Sequence, residues 1–119
     1  MPDGTLTYRR GEIWCVELRP VVGNETDKKR PCLILQNDVG NQYGTTTIIA
    51  PILPGTKAYP FAVNVKPTEI NRLKGLRHIN LSQMRVVDAQ RIQNQQGVLE
   101  DIYWKDIEQA VAIELGFHV

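Results

Sequence analysis

No apolar run in this 119-residue chain approaches the roughly 20 residues that a membrane-spanning helix needs, so membrane insertion is not expected. The first residues, Met-Pro-Asp-Gly-Thr-Leu-Thr-Tyr, lack the apolar core of a secretory signal, which points to a cytoplasmic protein. There are only two cysteines and two histidines. Cys15 and Cys32 each sit inside an apolar run, where a reduced cysteine behaves as a small core residue. His78 and His118 stand far from each other and from both thiols, so no spacing suits zinc, and neither a metal centre nor a cofactor is expected. An excess of either charge is also missing: 14 basic against 13 acidic side chains leave a net charge of +1. That excludes a uniformly basic coat but not a local basic groove. The chain has no nucleophile elbow, no glycine-rich phosphate loop opening a helix and no paired metal-binding histidines, which removes the commonest enzyme classes.

What is present is a run of short strands. At 119 residues, with no linker or internal repeat, the chain is most simply one domain, residues 9–119, after a loose lead-in over 1–8. Gly11 to Leu18 reads as a first strand closed by Arg19-Pro20. Trp14 within it is assigned to the core or an interface. Further strands are expected over Pro31 to Gln36, Thr45 to Leu53, Pro60 to Val65 and Arg77 to Val87. Asp38 to Gly44 has the residues of a hairpin turn, and Gln93 to Gly97 is polar and turn-like. Thr68 can cap one or two helical turns over Pro67 to Leu73, and Asp88 a shorter one over Ala89 to Ile92. Only Lys105 to Leu115 has a clear helical period, with Ile107, Ala110, Val111 and Leu115 on one stripe and Gly116 as the stop. These elements predict a mainly β fold with short helices, a small barrel whose C-terminal helix covers one side or an open end.

The densest chemistry lies between Val22 and Asp38. A polar loop of both charge signs runs into Arg30-Pro31, then into an apolar strand that stops at Gln36-Asn37-Asp38. A loop meeting a rigid strand combines reach with precision. Arginine's planar fork matches phosphate oxygens, and Lys28 and Lys29 add point charges, so the set suits a nucleic acid strand. Arg9, Arg10, Lys57, Arg72, Lys74 and Arg77 fall at strand ends and loops, where they either converge with Arg30 or stand as ordinary solvated charges. His78, isolated in a strand, reads as structural.

Taken together, Arg10-Gly-Glu-Ile-Trp14, Pro20-Val-Val-Gly23 with Glu25, Arg30-Pro31, Gln36-Asn-Asp38 with Asn41, Ala50-Pro-Ile52, and Gln83 with Arg85 and Asp88 resemble the MazF/PemK (Kid) toxin family. The resemblance runs from about Arg9 to Phe117. It implies an SH3-like small barrel of the CcdB/Kid type, working as a homodimer that cleaves single-stranded RNA at short motifs without a metal. The implied reaction is attack of a ribose 2′-hydroxyl on the adjacent phosphate, leaving a 2′,3′-cyclic phosphate and a 5′-hydroxyl. Arg30 is then the essential arginine and Glu25 the loop glutamate. Asn24, Lys28, Lys29, Asn37, Lys57 and Gln83 are the implied RNA contacts.

The implied partners are RNA and a MazE-like antitoxin, whose acidic tail would lie in the RNA groove. Departures from the family pattern fall on the hydroxyl side of the site. Leu53 stands where many relatives have a hydroxyl residue, Ser82 where some have aspartate, and Asn24 where some have histidine. Thr56 and Ser82 are the candidate compensating hydroxyls. Two other readings follow: a weakly active homologue acting as an RNA- or protein-binding module, motivated by Leu53, and a gyrase-directed toxin of the same fold.

Overall fold

Strand β3, Thr46–Pro54, is the hub of the sheet. Its threonine and isoleucine residues suit a pleated, mostly buried surface, and it pairs on both edges. The computed structural model describes residues 7–19 and 29–118. Along one edge of β3 runs β2 (Lys29–Ile34), which pairs in turn with β1 (Glu12–Glu17). Along the other edge run β5 (Arg77–Asn80) beside its second half and β6 (Arg85–Asp88) beside its first. β4 (Ala62–Val65) extends the sheet beyond β5, and β7 (Ile92–Val98) extends it beyond β1. Every pairing is antiparallel, and the order is β4-β5-β3-β2-β1-β7 with β6 beside β3.

The two ends of that order are bridged by the segment after β4. The Ile70 carbonyl accepts a hydrogen bond from Val98 N–H (3.1 Å) on β7. Gly97 permits this approach: a Cβ there would lie 2.3 Å from the Asn71 carbonyl oxygen. Asn71 is fully buried and knits the segment. Its Nδ2 donates to the Lys66 carbonyl and to Glu100, while its Oδ1 accepts from the Thr68 and Leu73 amides. The sheet therefore curls into the small barrel that the sequence predicts.

Inside pack Ile13, Leu33, Ile52, Ile79 and Leu81, and the C-terminal helix α2 (Trp104–Leu115) inserts Ile107 and Ala110 into the same cluster. Burying Ile107 contributes about 1.5–3 kcal/mol. Gly116, at φ 78°, ends α2 in the left-handed conformation as the sequence predicts, and Val111 packs against the cluster. Leu115, from the same expected stripe, is exposed. A second cluster on the other face of the sheet joins Val16, Leu18, Ile34, Ile49 and Val87, and includes Cys32 and Tyr8, a residue of the expected lead-in. Trp14 packs against its margin, and its indole N–H donates to Glu12.

Three expectations are corrected. Asp38–Tyr43 is a short helix, α1, rather than a hairpin turn. Its turn-forming residues are held helical by Asn37 capping Gly40 N–H and by buried Asn41, which donates to the Gln36 carbonyl and accepts from Thr47 (2.6 Å). Arg77 to Val87 is not one strand, because the 3₁₀ turn Leu81–Gln83 splits it and shifts its register along β3. Gln93 to Gly97, expected as a turn, lies within β7; its backbone pairs with β1 while its amide side chains mostly face solvent. Thr68 and Asp88 do cap short turns, at Ile70–Asn71 and at Gln90.

Candidate functional site

Arg30 stands at the start of β2, opposite Val16 on β1. Carrying the β2–β3 register two residues beyond the Cys32–Pro51 pair brings Arg30 opposite Leu53. Leu53 pairs with His78, and His78 with Asn64. Directly opposed residues of an antiparallel sheet share a face, so these four side chains form one row. The loop after β3 is fastened over the far end of that row. His78 Nδ1 lies 3.1 Å from the Gly55 carbonyl, and Asn64 accepts from the Lys57 N–H (2.9 Å) while donating to the Lys57 carbonyl (3.0 Å). Thr56 and Lys57 are thereby held beside the row, both exposed. His78 is buried, in keeping with a structural histidine.

At the same end of the barrel a cavity of about 450 Å³ opens. Arg30, Pro31, Ile52 and Pro54 line it from β2 and β3, Arg72, Leu73 and Lys74 from the segment after β4, Arg77 from β5, and Gln95 and Gln96 from β7. Four cationic residues thus border one opening, with no carboxylate among the described residues of the lining. Arg30 is half-buried, and its Nε is buried with no hydrogen-bond partner among the described residues. A desolvated guanidinium nitrogen without an acceptor carries an unrecovered cost that an incoming anion can relieve.

Arg72 has φ 60°, the left-handed region that costs a non-glycine residue about 1–2 kcal/mol. It closes a single helical turn: its N–H donates to the Thr68 carbonyl (2.8 Å), and the next residue, Leu73, turns into the core. Glu100 anchors this turn from below. Burial alone opposes its ionisation, but hydrogen bonds from Thr68 and Asn71 prevail and hold its carboxyl below the usual range.

The structure separates the other expected residues. Lys29, exposed on β2, pairs with Glu17, whose own pKa is lowered to about 2 chiefly by hydrogen bonds from Arg19. Asn37 lies at the opposite end of β2 from Arg30, on the order of 20 Å away at ~3.3 Å per residue, and its side chain is used in capping α1. Ser82 and Gln83 occupy the 3₁₀ turn at the other end of β5 from Arg77, where the Ser82 hydroxyl donates to Asn80. Asn24, Glu25 and Lys28 lie outside the described residues. Arg72, Lys74 and Arg77 were visible in the sequence as scattered charges, and only barrel closure brings them to Arg30.

A second cavity, about 380 Å³, lies beneath α2 and is mostly apolar, lined by Leu35, Ile48, Met84, Trp104, Val111 and Leu115 among others. The Arg10 guanidinium stacks 4.5 Å from the Trp104 ring centroid at its edge. Its chemistry does not suit a polyanion. Among the described residues no three His, Cys, Asp or Glu side chains converge as metal ligands, and no helix is long and apolar enough to cross a membrane.

The chain is a small antiparallel β-barrel with a C-terminal helix, and cationic residues border the opening beside Arg30. Residues 9–115 match the PemK-like, MazF-like toxin family of type II toxin–antitoxin systems, and the chain belongs to that family. It is 34% identical over 112 residues to the endoribonuclease MazF of Staphylococcus saprophyticus, covering 92% of each chain. MazF from Deinococcus radiodurans superposes with a TM-score of 0.77 at 21% identity, over 95% of this chain and 99% of that one. A mycobacterial endoribonuclease solved with its cognate antitoxin gives 0.78 at 18% identity, over 95% and 99%. At those identities the two structures show the shared CcdB/Kid-type fold.

Proposed function

We propose that this chain is a toxin endoribonuclease that cleaves single-stranded RNA at short sequence motifs, without a metal cofactor. The observation that carries the reading is Arg30, whose buried Nε has no hydrogen-bond partner among the described residues, at the edge of a cavity lined by three further cations. Family membership and the staphylococcal relative name the activity class; the site supplies the chemistry. A cavity of this size accepts an unstacked nucleotide, whereas a continuous duplex needs an extended groove.

In the proposed reaction the ribose 2′-oxygen gives up its proton and bonds to the adjacent phosphorus. The bond from phosphorus to the 5′-oxygen breaks, and that oxygen takes up a proton. The products are a 2′,3′-cyclic phosphate and a 5′-hydroxyl. The role of Arg30 is electrostatic: its guanidinium stabilises the charge gathering on the phosphorane-like transition state. Glu25 is assigned to positioning or to proton transfer from the 2′-hydroxyl. Thr56 replaces the hydroxyl lost at Leu53, because the Gly55–Lys57 loop is pinned to the same face. Lys29 and Lys57 attract the backbone.

The protein acts in the cytoplasm as a homodimer and is restrained by an antitoxin whose acidic segment occupies the cationic cavity. Incubating the purified protein with a long RNA and mapping new 5′-hydroxyl ends tests the reading. Cleavage is expected to fall on the order of 10²-fold or more in Arg30→Ala. Absence of cutting, or cutting unaffected by that substitution, rejects it.

A further inference from the structure

We infer that Arg72, with Lys74 and Arg77, forms a second phosphate-binding subsite. It holds a phosphodiester of the bound RNA next to the one at Arg30, and so sets the position of the strand. The inference rests on the endoribonuclease reading only for the identity of the strand. Three observations carry it.

The first is charge. Arg30, Arg72, Lys74 and Arg77 line one cavity with two amide side chains, Gln95 and Gln96, and no acidic residue among the described residues. The ion pair recorded among the described residues, Arg19 with Glu17, lies outside that lining. Like charges gathered without counter-charges repel, and a polyanion removes the repulsion.

The second is backbone. Arg72 occupies the left-handed position that ends the Thr68–Arg72 turn, where glycine or asparagine sits without strain. The turn itself needs no arginine, since Thr68, Asn71 and Glu100 supply its hydrogen bonds. An arginine at a strained position that lines the cavity is accounted for by its side chain.

The third is placement. Gly75 leaves room for Arg77, because a Cβ there would come within 3.2 Å of Arg77 Nη1. Arg77 Nη1 donates to the Leu76 carbonyl, which fixes the guanidinium at the cavity. Gln95 and Gln96, from the neighbouring strand, offer donors and acceptors to the edge of an unpaired base. Scissile chemistry at Arg30 and strand placement at Arg72 are thus separate tasks around one opening.

Arg72→Gly is the decisive variant, because glycine keeps the left-handed backbone conformation while removing the side chain and its charge. The probe is a single-stranded RNA oligonucleotide of mixed sequence, fully 2′-O-methylated so that it cannot be cut. Relative to the wild type, Arg72→Gly is expected to bind this probe about five- to tenfold more weakly. The slope of log affinity against log salt should shrink by about 0.7, the value of one single-strand phosphate contact. Thermal stability should be equal or higher, and Arg72→Lys should retain most of the affinity. With cleavable RNA, the loss should fall on KM more than on kcat.

Unchanged affinity and salt slope in Arg72→Gly overturn the subsite. So does a loss of binding matched by a loss of folding. Weakened binding together with no cleavage by the wild-type protein supports the subsite and rejects the endoribonuclease reading, so the two stand or fall separately.

Discussion

Gly97 on β7 and Asn71 in the segment after β4 meet backbone to backbone, so close that a single added methyl group would sit 2.3 Å from the Asn71 carbonyl oxygen. This contact closes the barrel, and the closure carries Arg72 and Lys74 to the mouth where Arg30 stands. The obstructing atom is backbone, which cannot swing aside. Gly97→Ala is expected to destabilise the fold by about 2–3 kcal/mol, read as a lower urea midpoint. A midpoint equal to wild type would mean that the segment is free to move off β7.

Glu100 ties the same segment down through Thr68 and Asn71. Its folded-state pKa is depressed, so its contribution to stability is fully present above the unfolded value of about 4.3 and is lost as pH falls through the folded value. Glu100→Gln should therefore cost stability at neutral pH and flatten the acid limb of the stability profile below about pH 4.3. Parallel profiles for the two proteins across that window would remove Glu100 as the acid-sensitive clasp.

Extending the β2–β3 register beyond Cys32–Pro51 sets Leu53 opposite Arg30, and an aliphatic group there offers a phosphate nothing. A hydrogen bond to a charged group contributes about 1.5–3 kcal/mol. With Thr56 filling the hydroxyl role, Leu53→Thr is expected to leave the RNA cleavage rate within about threefold of wild type, whereas Thr56→Ala should lower it about tenfold or more. A gain of about tenfold in Leu53→Thr would show that the wild-type site lacks the hydroxyl.

Cys32 is buried and its thiol is pushed up, first by burial and then by nearby Cys15. Cys15 is only partly buried. In a thiol-alkylation time course on the folded protein at pH 8, Cys15 should react first and Cys32 only after denaturation, since the thiolate is the nucleophile. Equal rates in the folded state would contradict the packing of the second core cluster.

The residue pattern by itself determined the strand-rich barrel and the C-terminal helix, and it singled out Arg30 as a candidate. Those features follow from local periodicity, proline and glycine stops, and the chemistry of one side chain at a strand entrance. Helix α1 and strand β7 were not legible, because each is stabilised by partners distant in sequence. Asn41 and Thr47 hold α1, and β1 supplies the hydrogen bonds that make a strand of Gln93 to Gly97.

The site divides in the same way. Arg30 announces itself by its neighbours in the chain. Leu53 acquires a relation to Arg30 only through the β2–β3 register. Arg77 reaches the cavity through the β3–β5 pairing, while Arg72 and Lys74 reach it because Gly97 lets the Asn71 backbone seat against β7. Charge in a sequence has no direction, and the tertiary structure decided which cations border one cavity and which, like Lys29 opposite Glu17, stand outside its lining.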